Sequence, residues 1–189
     1  MRQVNIIPEY NIITKFFHWL SVVGLVVQIP LGFYLVDMDF SDTRILIEDI
    51  HVILGLSIFY ITLFRMLFRL MLQSPDDPIE GFAGQMIVAK INHFLLYITL
   101  LTVTCSGILK KLFNGEKVNF FLFDLKMKTD FDKAEVLYDV HVYSNYTLIG
   151  LITLHILAAL LHTFILKDDV IKELLNEKNH NYFTFNFTN

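Results

Sequence analysis

The chain carries seven histidines, His18, His51, His93, His141, His155, His162 and His180, and the first six fall within or at the edge of long apolar stretches. Neutral imidazole binds iron, zinc or copper, so imidazoles in an apolar setting form a candidate metal-binding array. The most informative two are His141 and His155, in a segment free of Asp, Glu, Lys and Arg from Val140 to Leu166. At about 100° and 1.5 Å per residue, fourteen positions return a helix to within roughly 40° of the same face and set the rings about 21 Å apart along its axis. Imidazoles on one face, one toward each end of a membrane-length helix, suit two metal centres stacked across a bilayer.

Depth supplies the partners. His51 lies two residues after Asp49, and His141 two residues after Asp139. Both apolar runs start from the same side, so these two histidines form the first expected ligand pair. His18 follows Lys15 by three residues, near the opposite face, and its partner on the last run is His155 or His162. Depth alone favours His162, five residues from Lys167, over His155, twelve residues away. Spacing favours His155, because His141 and His162 would stand about 31 Å apart along the helix. Sequence geometry leans to His155 and leaves both open.

Ligands arriving in pairs point to haem. A zinc site draws three or four ligands to one point, often with a carboxylate, and no Asp or Glu lies inside the apolar spans. Two imidazoles from facing helices fill both axial positions of a haem iron, which suits electron transfer rather than oxygen binding. Arg65 and Arg69 end the second run near the His18 side. Guanidinium forks match carboxylates, so they are candidates for the inner haem's propionates, with a positive membrane anchor as the competing reading. Gly55, one turn after His51, and Gly107 are positions where a small residue lets a porphyrin edge come close. The single cysteine, Cys105, excludes an intrachain disulfide and Cys-rich metal sites; it reads as a small buried hydrophobe.

The elements that must position these residues follow from composition. Of 189 residues, 54% are hydrophobic and only 18% charged, against about 25% charged in ordinary globular domains. The apolar residues fall in four blocks, with spans expected at about 16–36, 50–72, 88–109 and 140–166. About 20 apolar residues cross a hydrocarbon core, and only a helix there satisfies its own backbone. The fold class expected is therefore all-α, an integral membrane four-helix transmembrane bundle forming a single domain over 1–189. The first block is too long for a cleavable signal, and Asp37-Met38-Asp39 is a poor cleavage site. The lipid bilayer is the expected surrounding, and the net charge of −4 offers nothing to nucleic acid.

Basic residues do not settle orientation: with a cytoplasmic N-terminus, eight fall inside and seven outside. The acidic link Asp37–Asp49 looks external. The link Gln73–Lys90 carries the turn signal Ser74-Pro75-Asp76-Asp77-Pro78, then Gly81 and Gly84. The longest link, Lys110–Asp139, holds Phe120-Phe121-Leu122-Phe123, a patch better suited to the membrane interface than to a soluble core. Val170, Ile171, Leu174 and Leu175 pattern a short surface helix, and the tail 176–189 is polar.

These residues together resemble the prokaryotic cytochrome b561 family over nearly the whole chain. The matching pieces are Tyr10 eight residues before His18-Trp19; His51 with Gly55, Arg65 and Arg69; His93 with Tyr97 and Gly107; Phe120-Phe121 with Phe123; and His141, His155 and His162 followed by Lys167-Asp168. The chain departs from the usual pattern at Ile12, at Val142 and in the proline-free Thr102–Cys105. The resemblance implies two haem b, one held by His18 and His155 on the cytoplasmic side and one by His51 and His141 on the periplasmic side. It implies a multi-pass protein of the bacterial inner membrane with both termini cytoplasmic. His93 and His162 would stand behind the ligands or at a quinone site. Characterised members look like superoxide oxidases, in which superoxide reduces the outer haem and the inner side reduces ubiquinone.

The function expected is thus superoxide oxidation coupled to ubiquinone reduction, with Lys110 and Lys111 steering the anion locally. Steering must be local because the expected outer segments hold seven basic and eleven acidic residues. The alternative is a haem b anchor subunit that links a partner dehydrogenase or reductase, as redox protein donor, to the quinone pool. A transporter using its intramembrane histidines ranks third, since neither inverted repeats nor broken helices are visible.

Overall fold

The structure is a computed structural model that describes residues 12–71 and 85–166. Tyr10, the turn signal Ser74–Pro78, Gly81, Gly84, Lys167-Asp168, the short helix expected over 170–175, the tail 176–189 and His180 lie outside the described residues.

Four long helices carry the chain: α1 (Ile12–Val36), α2 (Asp42–Met71), α3 (Gln85–Phe113) and α4 (Phe131–Leu161), the last running on into a π-helical turn, His162–Leu166. All four are long and apolar enough to cross a membrane, and the fold is the all-α membrane bundle expected. α1 packs on α2, α2 on α3, and α3 most extensively on α4. Large apolar side chains such as Val26, Ile53, Phe94 and Leu154 lie on the outside of the bundle, where lipid would cover them.

The helices begin earlier than the apolar runs suggest. α2 starts at Asp42 rather than near 50, and α4 at Phe131 rather than near 140. Capping explains both. The Ser41 hydroxyl accepts from the Arg44 N–H at 3.2 Å, with Asp42 in the positive first turn. Asp130 caps α4, its carboxylate accepting from the Lys133 N–H at 3.2 Å while the Lys133 ammonium lies 2.7 Å away. Those bonds from Lys133 hold the Asp130 carboxyl below its usual pKa. Pro30 sits inside α1, which membrane helices tolerate better than soluble ones.

Buried hydroxyls along the spans find partners one turn back. Ser21 donates to the Phe17 carbonyl at 2.8 Å, Thr62 to Ile58 at 2.7 Å, Thr104 to Leu100 at 2.9 Å and Ser106 to Thr102 at 2.7 Å. Without water, that is the cheapest way to satisfy a hydroxyl. The interior is apolar: Ile58, Leu100, Val103 and Leu148 form its centre, with Leu25, Leu96 and Ile152 against them.

The long link between α3 and α4 is ordered. After a turn at Gly115 (φ 79°), β1 (Val118–Asn119) and β2 (Asp124–Leu125) form an antiparallel hairpin pairing Val118 with Leu125 and Asn119 with Asp124. A Cβ at Gly115 would collide with Thr129, so glycine is needed there for space as well as for φ. Lys111, almost buried, ties the structure together by reaching Asp49 at 2.9 Å and Glu116 at 3.3 Å, and Lys110 meets Glu48 at 3.5 Å.

Candidate functional site

The histidines gather into two tiers. The His51 and His141 rings face each other across α2 and α4 with centroids 6.3 Å apart and planes at 75°. The His18 and His155 rings do the same across α1 and α4 at 6.4 Å and 57°. His162 lies seven residues beyond His155, in the π-helical turn. His93 packs edge-on against His155 at 5.1 Å, and its Nδ1–H donates to the Ala89 carbonyl at 2.9 Å.

One interval builds both tiers from all four helices. His141 and His155 are fourteen apart on α4. On α2 the same step leads from His51 to Arg65, whose guanidinium lies 3.2 Å from His18 Nδ1. On α1 it leads from His18 to Gly32, where an added Cβ would meet His51 Cε1 at 3.1 Å. On α3 it leads from His93 to Gly107, where a Cβ would meet His141 Nδ1 at 2.9 Å. Halfway along each step stands Leu25, Ile58, Leu100 or Leu148, and these four belong to the apolar centre. Seven residues span about 10.5 Å and return to nearly the same face. The bundle is therefore layered as polar tier, apolar slab, polar tier.

At the His51–His141 tier a cavity of about 340 Å³ opens beside the rings, lined among others by Gln28, Gly32, Gly55, Gly107, His51 and His141. The His141 Nδ1–H donates to the Val103 carbonyl at 2.8 Å. That bond fixes the neutral tautomer with its lone pair on Nε2, the form that ligates a metal. Gln28, which the sequence reading passed over, donates from Nε2 to the His51 carbonyl at 2.9 Å, and Gly55 gives it room. His51 Nδ1 and Gln28 Oε1 are buried and lack a hydrogen-bond partner among the described residues. Buried orphans of this kind mark a site rather than a finished core. Lys110 and Lys111, expected to steer an anion, also line this cavity but are both paired with carboxylates. Arg44 lines the cavity too, its guanidinium donating to the Met38 carbonyl.

At the His18–His155 tier an arginine stands beside the rings. The Arg65 guanidinium donates to Ser21 Oγ at 3.0 Å and to His18 Nδ1, and lies 5.6 Å from the Tyr97 ring centroid. Asn92 stands 3.5 Å from His155 Nδ1. Arg69 ends α2 one turn beyond Arg65.

The arrangement fits metal ligation in pairs. An imidazole nitrogen lies about 2.0–2.1 Å from a bound zinc, with iron of similar size, and about 1.1–1.2 Å from its own ring centroid, so two rings on opposite sides of one ion would have centroids about 6.2–6.6 Å apart. Both pairs fall in that range. Among the described residues no three His, Cys, Asp or Glu converge on a common point, which disfavours a closed zinc site and suits a group whose ligands arrive in pairs, as a b-type haem's would.

Sequence comparison agrees with this chemistry. The family described as prokaryotic cytochrome b561 matches residues 9–177. Cytochrome b561 homolog 2 of Escherichia coli (strain K12) is 26% identical over 192 residues, covering 96% of this chain and 99% of that protein. The probable superoxide oxidase CybB of Yersinia pestis is 30% identical over 138 residues, 68% of this chain and 74% of its own length. Cytochrome b561 homolog 1 of the same Escherichia coli strain is 26% identical over 138 residues, 71% and 78% of the two chains. With four membrane-length helices built around paired imidazoles, the chain belongs to the prokaryotic cytochrome b561 family, multi-pass bacterial membrane proteins that transfer electrons on b-type haem.

Proposed function

We propose that this chain moves electrons across the membrane between two haem b, held by His51 with His141 on the periplasmic side and by His18 with His155 on the cytoplasmic side. The observation that carries this reading is the pair of ring separations, 6.3 and 6.4 Å, at two levels of one bundle. Bound iron would supply a one-electron couple at each level. Both termini are cytoplasmic in this reading, consistent with an external acidic link before α2, and one domain covers 1–189.

The chain's own groups do the rest. The Val103 carbonyl orients His141 for ligation, and Gly32, Gly55 and Gly107 keep space around the outer rings. At the inner tier an arginine can only donate, so His18 Nδ1 accepts here and the neutral ring carries its proton on Nε2. Ligation through Nε2 requires that proton on Nδ1 instead. Arg65 must then release Nδ1, and an anionic propionate is the partner a guanidinium would turn to, with Arg69 beside it. Arg65→Gln is therefore expected to lower the midpoint potential of the inner centre alone. Loss of a nearby positive charge favours the more oxidised, more positive iron, whereas the outer tier lies about 21 Å away. A redox titration resolving the two centres checks this; an equal shift at both contradicts it.

The substrates proposed are superoxide outside and ubiquinone inside. Two superoxide ions each lose one electron and leave as dioxygen, and the quinone gains two electrons and two protons to become quinol. The similarity to a probable superoxide oxidase supports this reading. His93 and His162, at the inner end of α3 and α4, are the candidates for the quinone side. The acid-paired Lys110 and Lys111 favour a second reading, in which the chain is a haem b anchor subunit and a docked redox protein is the donor. Purified protein exposed to a superoxide generator decides between them. Haem reduction that superoxide dismutase abolishes supports the first; haems that stay oxidised with superoxide yet accept electrons from quinol leave the second.

A further inference from the structure

We infer that the hairpin between α3 and α4 is an interfacial membrane anchor whose tip side chains enter the acyl chains of the leaflet nearer the His51–His141 tier. Its depth is set by a contact with α2. The Tyr60 hydroxyl donates to the Phe120 carbonyl at 3.3 Å, and the Tyr60 ring lies 6.1 Å from that of Phe121. Tyr60 is nine residues past His51, about 13 Å deeper along α2. Even with the side chain reaching back toward the helix N-terminus, the tip side chains remain deeper than His51. His51 itself is two residues inside Asp49. The hydrocarbon core is about 30 Å thick and begins near this level, so the Phe121, Leu122 and Phe123 side chains reach the acyl chains from the boundary while the turn's backbone stays at the headgroup level.

The tip is built for such surroundings. Leu122 is 92% exposed, and Phe121 and Phe123 are more than half exposed, on a surface continuous with the lipid-facing side of α2. At the edge of the hydrocarbon an unsatisfied backbone group is costly. Here the Phe120 N–H donates to the Phe123 carbonyl and the Phe121 N–H to Asn119 Oδ1, both at 2.8 Å, while Tyr60 serves the Phe120 carbonyl. The polar groups at the base pair among themselves: Asp124 takes Lys117 at 2.6 Å and the Asn119 amide at 2.9 Å. Phe121 holds φ 68°, a left-handed conformation unfavourable for an aromatic residue. Phe120 and Phe123, stacked with centroids 5.2 Å apart, close the turn around it. Water would offer no return on that strain, whereas acyl chains cover every one of the outward rings. The anchor fixes the height of the bundle, and so of the outer histidines, in the bilayer.

The test uses the full-length holoprotein in liposomes at low protein-to-lipid ratio. A nitroxide is placed at Leu122→Cys or, for reference, Lys128→Cys, each in a Cys105→Ser background that removes the sole native thiol. The expected result is relaxation at position 122 enhanced several-fold more by oxygen than by a water-soluble nickel complex, with the reverse order at position 128. Nickel-dominated relaxation at position 122 overturns the anchor by placing the tip in water. Insensitivity to both reagents overturns it too, because protein, such as a second copy of the chain, then covers the tip.

Discussion

His141→Ala is expected to cut the haem content to about half, leaving a protein that shows the inner centre alone, because among the described residues only His51 and His141 bring imidazoles to the outer tier. The two facing pairs share no histidine, and the third imidazole, His93, stands at the His18–His155 tier, its Nδ1–H held by the Ala89 carbonyl. The slab of Leu25, Ile58, Leu100 and Leu148 separates the two tiers by a distance that no side-chain rearrangement crosses. Removing the His141 ring also frees the Val103 carbonyl and enlarges a cavity already present. Neither change reaches the apolar packing that joins α3 to α4, so the helices should stay assembled. Haem quantified per chain, with a reduced-minus-oxidised spectrum and circular dichroism on the same sample, reads the outcome. His18→Ala should give the complementary spectrum. If a well-folded His141→Ala protein retains both haems, or loses both, the two-tier reading is wrong.

Much of this was legible from charge-free runs and histidine spacing. Four spans and the facing of His51 with His141 follow from periods of 3.6 residues laid across a fixed thickness. For the ring opposite His18, simple depth points to His162, and only the spacing from His141 favours His155, which is the ring found there. Helix ends were not legible from hydropathy, because Ser41 and Asp130 start helices in polar sequence, where caps rather than apolar runs decide. Gly32 and Gln28 escaped for a different reason. Neither carries chemistry alone, and glycine is common in membrane helices. Yet Gly32 lies fourteen residues after His18, the interval already noticed on α4, so applying that step to every helix would have found it. Gln28 is conspicuous only as an amide inside an otherwise apolar run. The pairing of Lys110 and Lys111 with carboxylates depends on where α2 begins, which the run lengths misplaced.

Gly107→Ala is expected to weaken the outer centre selectively, and Gly150→Ala, on the neighbouring helix, to leave both centres intact. A methyl at position 107 would lie 2.9 Å from His141 Nδ1 and 3.0 Å from Cε1. The ring cannot yield by simple rotation, because Nδ1 is held at 2.8 Å by the Val103 carbonyl on the same helix as the glycine. Either that bond breaks or α3 and α4 move apart along their most extensive contact. Overpacking of this kind costs about 1–3 kcal/mol, which would loosen the outer haem roughly 5- to 150-fold if the strain falls on the ligand. At Gly150 an added Cβ meets nothing within 4 Å. Alanine there gains about 0.5–1 kcal/mol of helix propensity, so its thermal stability should hold or rise. Haem retention after size-exclusion chromatography, read separately for the two centres, distinguishes the variants. Equal loss from both centres in Gly107→Ala would mean that the glycine serves the bundle as a whole rather than the ring beside it.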